Sequence, residues 1–285
     1  MISLSLGLLA ALSWSVHDLL ARRFAAEAGP YRLAFWVIVT GALLTLFPVL
    51  WRGQLWHAAP PSIAIALAMG VVYAMAVASL LLAFSLAPVS VVGPLTAGYP
   101  ALVVVWGLLH GLVPTAWQWL ALLAILVGAV MVGRFGPPDG GLSLVPKGKI
   151  RTVITACLVA SLCFATTIIM GQWATQNLGA TETTFLSRFP AAFCLLGFMR
   201  HDQQHLKPMA TASWFGAVVM GSVDVVAVTA VNAISYFPNK ELGSMGISAY
   251  GALSALLAML LFKEKVTFLQ VIGIGLIVVG IGLLG

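Results

Sequence analysis

Apolar runs of about 20 residues, separated by short polar or proline-containing breaks, fill the chain from end to end. A run of that length crosses the hydrocarbon core of a membrane as an α-helix. Marking the runs between turn and charge signals predicts ten helices, at residues 3–21, 33–51, 62–85, 90–110, 115–133, 152–173, 182–200, 212–234, 242–262 and 267–284. The pattern therefore predicts an all-α membrane protein with ten transmembrane helices.

The second half of the chain repeats the first about 150 residues later. The matching stretches are Ala10–Ser15 with Ala160–Ala165, Met69-Gly70 with Met220-Gly221, and Trp117-Gln118 with Leu269-Gln270. Chance similarity between apolar segments is the alternative for any single match. Residues 1–135 and 151–285 are thus predicted as two five-helix repeats joined by a loop at 136–150. Because five is odd, the second repeat enters the membrane from the opposite face, as in the inverted repeats of many transporters.

Composition excludes a soluble domain. Hydrophobic residues make up 61% of the chain and charged residues 8%, whereas a soluble domain carries about 25% charged residues. The net charge of +6 comes from basic residues at helix ends, which favours contact with membrane lipids over nucleic acid. No phosphate-binding loop, metal-ligand spacing or hydrolase motif is recognisable. We therefore expect a protein that is not an enzyme and has no cofactor or metal.

The loops predict an orientation. Most Lys and Arg residues follow odd-numbered helices, whereas the loops after even-numbered helices hold only Arg52 and Lys240. By the positive-inside rule the odd-numbered loops are cytoplasmic. Both termini are then predicted to lie outside.

Three short stretches carry a family resemblance: Ala11–Trp14, Arg188-Phe189, and Phe262–Thr267 followed by Gln270, Gly273 and Gly280. With them, nearly the whole chain resembles the drug/metabolite transporter (DMT) superfamily, in its ten-helix EamA family. That resemblance implies the EamA/DMT fold and a transport function. Two features depart from the family pattern. Leu112 occupies the first-half position equivalent to Glu264, and family members usually have both termini in the cytoplasm.

The stretch Pro94–Pro100 is similar to the YddG-type exporters of aromatic and hydrophobic amino acids. This resemblance implies that Trp14, Tyr73 and Tyr99 line a central cavity. Trp106 and Tyr250 are further candidate lining aromatics, because such rings offer apolar faces that also attract cations. The alternative for all five is helix packing or anchoring at the membrane interface.

Asp224 lies near the centre of the eighth predicted span, with Tyr73 as its repeat partner. An ionisable group at that depth is costly and is therefore a functional candidate, here for substrate binding or proton exchange. The alternative is a structural aspartate, hydrogen-bonded to a neighbouring helix or ion-paired with Arg188. The planar guanidinium of Arg188 suits a substrate carboxylate, but it equally suits Asp224, Glu182 or helix-end carbonyl groups.

His17 and Asp18 end a polar stretch of the first predicted helix. Histidine titrates near neutral pH, so both residues are candidates for proton coupling, and His17 also for substrate binding. The alternative for Asp18 is an ordinary salt bridge with Arg22, four residues later on the same helix.

Together these features predict a secondary active transporter in a bacterial-type inner membrane, exporting amino acids or similar small amphipathic metabolites by alternating access. Alternatives are an organic-cation or drug transporter, a lipid or lipid-carrier flippase, and a non-transporting assembly or sensor subunit. The predicted partners are the small-molecule substrate and membrane lipids. Fusion of both halves in one chain is compatible with a monomer without forbidding a dimer.

Overall fold

The computed structural model of the protein describes residues 2–96, 99–135, 145–146, 148–204, 209–238, 240–262 and 267–284. These residues form helices joined by short turns, and no strand occurs among them. Most of the predicted loop at 136–150 lies outside the described residues, as do Gly98 and the Lys263–Val266 part of the family motif.

Twelve α-helices are described in these ranges: α1 Ile2–Ala28, α2 Pro30–Arg52, α3 Pro60–Leu86, α4 Val89–Thr96, α5 Tyr99–Leu109, α6 Ala116–Arg134, α7 Ile150–Leu178, α8 Ala180–His201, α9 Thr211–Ala233, α10 Lys240–Gly243, α11 Ala249–Phe262 and α12 Phe268–Leu284. The fourth predicted span corresponds to α4 and α5. The ninth corresponds to α10, a 3-10 segment at Ser244–Ser248, and α11.

Five helical segments are long and apolar enough to cross a membrane: Ile2–Ala28, Pro30–Arg52, Pro60–Leu86, Ile150–Leu178 and Thr211–Tyr236. Shorter apolar segments occur at Tyr99–Leu109, Ala116–Gly128 and Phe268–Leu283. The chain is therefore a helical, multi-pass membrane protein. The count of ten spans stays a prediction.

Local signals recur in both halves. Gly29 and Gly179 precede α2 and α8 with φ of 85° and 96°, a backbone region that favours glycine. Helices α6 and α12 each begin with a capping box. In these boxes the backbone N–H of Thr115 or Thr267 donates to the glutamine three residues later, at 2.8 and 3.0 Å. Similar sequence thus produces similar turns and helix starts in each half.

The two halves pack against each other along most of their length. Helix α1 packs on α9 and α3 on α7, while α2 packs on α8 and α6 on α12. Gly70 brings α3 against the backbone of α8 at Ser187, and Gly221 brings α9 against the backbone of α2 at Val37. The apolar core runs between these helices. Residues at the middle of α1, α3, α7 and α9 consequently meet at the centre of the protein.

Candidate functional site

Asp224 is the centre of a buried polar cluster. Its Oδ1 accepts hydrogen bonds from the Trp14 indole N–H at 3.0 Å and from the Tyr73 hydroxyl at 2.5 Å. The Arg188 Nη1 lies 2.7 Å from its Oδ2, and the Arg188 guanidinium carbon lies 5.1 Å from the centre of the Tyr73 ring. Four helices, α1, α3, α8 and α9, thus contribute to one cluster.

The Arg188–Asp224 pair is almost completely shielded, with side-chain exposures of 0% and 3%. The guanidinium approaches the carboxylate closely, but its N–H groups lack hydrogen-bonding geometry to any acceptor. Two opposite charges at this distance cancel each other within the cluster. Among the alternatives for Asp224, these contacts favour the ion pair with Arg188.

Asp18 forms a second polar cluster beside the first. Its Oδ2 accepts a short hydrogen bond from the Tyr250 hydroxyl, and its Oδ1 lies 3.2 Å from the His17 Nδ1. The salt bridge with Arg22, the alternative for Asp18, is not formed; Arg22 Nη1 instead donates to the backbone oxygen of Phe84 at 3.3 Å. In the part of the chain that the structure describes, no Lys or Arg pairs with Asp18. Its charge, unlike that of Asp224, has no fixed counter-charge.

Aromatic rings form a wall between these clusters and the rest of the core. The Phe164 ring centre lies 5.5 Å from that of Tyr99, 6.1 Å from that of Tyr73 and 6.3 Å from that of Trp14. Trp14 and Tyr99 meet edge to face at 6.5 Å. Such spacings are typical of packed aromatic pairs. The wall therefore combines apolar ring faces with the polar edges of Trp14 and the tyrosines.

A small cavity, here called the central cavity, joins the two clusters and the wall. Its free volume is about 20 Å³, enough for one or two water molecules. The lining consists of aromatic, acidic and aliphatic side chains together with one histidine and one threonine: Trp14, His17, Asp18, Val37, Tyr73, Val77, Leu80, Thr96, Tyr99, Phe164, Asp224 and Tyr250. The free space between these side chains is therefore small.

A second cavity of about 10 Å³, here called the apolar cavity, lies across the wall. It shares Trp14, Tyr73 and Phe164 with the central cavity. Its remaining lining is mainly aliphatic: Met69, Thr167, Ile168, Val228, Val231 and Asn232. One layer of rings thus separates a charged cavity from an apolar one.

Most of the predicted site residues line the central cavity: Trp14, His17, Asp18, Tyr73, Tyr99, Asp224 and Tyr250. Arg188 lies behind Asp224 and does not line it. Trp106 is placed elsewhere, with its ring centre 3.9 Å from that of His110 and 5.7 Å from that of Trp173. Sequence reasoning missed Phe164, although the repeat aligns it with Trp14 and so contained the signal.

The family model described as "EamA-like transporter family" matches the chain twice, at residues 1–134 and 151–285. The chain belongs to the EamA-like transporter family. It is accordingly a membrane transporter of the drug/metabolite type. The family resemblance seen in the sequence is thereby confirmed, whereas YddG-type specificity stays a prediction.

Solved structures share the fold of this EamA-like transporter. One protein crystal structure superposes with a TM-score of 0.75 at 17% identity, covering 99% of this chain and 96% of that chain. At this identity the likeness shows the fold alone. No protein of curated function matches the sequence significantly.

Proposed function

We propose that this EamA-like transporter carries amino acids or similar small amphipathic metabolites, with export as the expected direction. Asp18 carries the proposal, because it is a carboxylate in an aromatic cavity that, among the described residues, pairs with no Lys or Arg and contacts only the His17 ring and the Tyr250 hydroxyl. A substrate ammonium group binds favourably to such a carboxylate and to the surrounding ring faces. Asp224 is a weaker candidate for that contact, because Arg188 already compensates its charge.

His17 makes the site suitable for a zwitterion. Its ring lines the same cavity as Asp18, and its Nδ1 faces the Asp18 carboxylate at 3.2 Å. When the imidazole carries both protons, its Nε2–H is a donor for a substrate carboxylate beside an acceptor for the substrate ammonium group. His17 and Asp18 are also the proton-coupling candidates closest to such a ligand, and Asp224 is a third through its place in the neighbouring cluster. The site therefore suits an amino acid better than a simple anion.

Alternating access is the expected mechanism, built on two inverted five-helix repeats. The central cavity has room for water but not for a metabolite, so the surrounding helices must separate to admit one. Helix pairs α1–α9 and α3–α7 occupy equivalent places in the two repeats. Rocking of one half against the other would open these two contacts in turn. The expected location is a bacterial-type inner membrane.

Ligand-dependent thermal unfolding of the purified protein in detergent tests the substrate class. A ligand at 100 times its Kd stabilises the folded state by about 2.7 kcal/mol. We expect stabilisation by hydrophobic amino acids, weakened tenfold or more in Asp18→Asn, since hydrogen bonds to charged groups contribute about 1.5–3 kcal/mol. Phe164→Ala is also expected to weaken binding. Phe193→Ala is its matched control, because Phe193 is 78% exposed on the outer surface.

The same panel separates the competing functions. Stabilisation by quaternary amines but not by amino acids would identify an organic-cation transporter, which the aromatic lining also accommodates. A response to particular lipid headgroups alone would contradict both and identify a flippase. Equal effects of Phe164→Ala and Phe193→Ala would remove the central cavity from the binding site.

A further inference from the structure

The two cavities occupy equivalent places in the two repeats. Residues on α1 that line the central cavity have counterparts 150 positions later on α7, and those on α3 have counterparts 151 positions later on α9. Five of the six counterparts line the apolar cavity, for example in the pairs His17 and Thr167, Asp18 and Ile168, and Val77 and Val228. The sixth, Asp224, is the counterpart of Tyr73 and lines the central cavity. On α7 and α9 the apolar cavity is therefore built mainly from the repeat-related positions of those that line the central cavity on α1 and α3.

The chemistry of the two copies differs. Ile168 replaces the carboxylate of Asp18, and Thr167 replaces the imidazole of His17. The Thr167 hydroxyl already donates to the backbone oxygen of Cys163 at 2.8 Å. The Asn232 amide, on another wall, donates to Thr184 at 3.0 Å. The polar groups of the apolar cavity thus have partners within the protein, and its aliphatic surface is what remains for a ligand.

The two cavities adjoin at the ring layer, since Trp14, Tyr73 and Phe164 line both. A ligand held by its ammonium group at Asp18 would meet this layer with its other end. We propose that the apolar cavity is the subsite for the substrate's hydrocarbon side chain, and that Ile168, Val228 and Val231 limit the size of that side chain. This inference rests on the proposed function and adds the determinant of substrate selectivity.

Burial of hydrocarbon supplies the expected selectivity. Each methylene moved from water into an apolar site contributes about 0.8 kcal/mol, or about fourfold in affinity. A side chain that fits the cavity gains this contribution, whereas a larger one clashes with its walls. Variants that change the volume of the apolar cavity should therefore change the ratio of affinities between small and large amino acids.

The experiment compares the repeat-related valines. Kd values for L-alanine, L-valine, L-leucine and L-phenylalanine are measured by ligand-dependent unfolding. Val228→Ala should raise the affinity for phenylalanine relative to that for valine by about fourfold or more. Val228→Leu should lower the same ratio of affinities. Val77→Ala, the repeat-related change in the central cavity, should shift the ratio less than Val228→Ala. Asp18→Asn should weaken all four ligands by a similar factor.

Two results would overturn the subsite. One is an unchanged ratio in both Val228 variants, and the other is an equal shift in Val228→Ala and Val77→Ala. The two Val228 variants change cavity volume in opposite directions, so general destabilisation cannot imitate the expected pair of results. Failure of every amino acid to stabilise the unmodified protein would instead refute the proposed function, and the subsite with it.

Discussion

Asp224 and Arg188 show how burial determines what an ionisable residue does. Removing either charge from water carries a large penalty, which their mutual attraction offsets only while both are present. Trp14 and Tyr73 add donors to the same carboxylate. The pair therefore holds α8 and α9 together at the centre of the protein. Asp18, bonded to a neutral tyrosine hydroxyl, keeps more of its charge available to a ligand.

Replacing Asp224 with asparagine should destabilise the protein by about 3–5 kcal/mol, because Arg188 is left as an uncompensated buried charge. Thermal unfolding in detergent measures the change. The double variant Arg188→Leu with Asp224→Asn should lose less stability than Asp224→Asn alone, because it leaves no buried charge uncompensated. If the single variant unfolds at the temperature of the unmodified protein, the pair is not part of what stabilises the fold.

Glycines determine how closely the helices of the two halves approach. A Cβ at Gly70 would lie 2.6 Å from the Pro190 ring and closer still to the Ser187 backbone oxygen. At the equivalent Gly221 it would lie 2.7 Å from the Val37 backbone oxygen. Small residues at such crossings allow backbones to pack tightly within a membrane. The shared glycine makes the α3–α8 and α9–α2 contacts alike.

Gly70→Ala should cost about 1–3 kcal/mol of stability, because the backbone of α8 cannot yield to an extra methyl group. The control is Gly197→Ala, on α8 itself, where an added Cβ meets no atom within 4 Å. That variant should be neutral or more stable by up to about 1 kcal/mol through helix propensity. Unfolding midpoints of both proteins in one detergent provide the comparison. Equal midpoints would contradict a tight crossing at Gly70.

At the scale of the whole molecule, the repeat gives two equivalent cavities with different chemistry. Val77 and Val228 are matched aliphatic positions, one in each cavity. If the halves rock against each other, each position should become reachable from one membrane face only. Because the two cavities lie on opposite sides of one ring layer, Val77 and Val228 should be reached from opposite faces of the membrane.

Cysteine labelling tests this expectation. In a background with Cys157, Cys163 and Cys194 replaced, Val77→Cys and Val228→Cys should react with an impermeant maleimide from opposite faces. Added substrate should lower both labelling rates, because it would occupy both cavities. The face that labels each position also reveals the orientation, for which the loop charges predict outside termini. Labelling of both cysteines from the same face would contradict the expectation that the two cavities open to opposite faces of the membrane.

The helices, their starting residues and the repeat could be predicted from the sequence alone, and particular residues show why. Thr115 and Thr267 begin their helices because a capping box is built from residues three positions apart. The apolar runs predict helices because a membrane leaves no other way to satisfy the backbone. The repeat could also be recognised in the sequence, where it aligns Trp14 with Phe164. The sequence did not show that Phe164 closes the cavity wall, since ring contacts join residues on different helices.

The sequence by itself determined what depends on neighbours along the chain: helix positions, the doubled pattern and the membrane environment. Only the tertiary structure decided which charges are compensated and which side chains share a cavity. Trp14 meets Asp224 across 210 positions, and Asp18 meets Tyr250 across 232. Contacts of that range depend on how helices cross and rotate. Hydropathy carries no record of such crossings, so the sequence could not show that Arg188 compensates Asp224 whereas, among the described residues, no Lys or Arg pairs with Asp18.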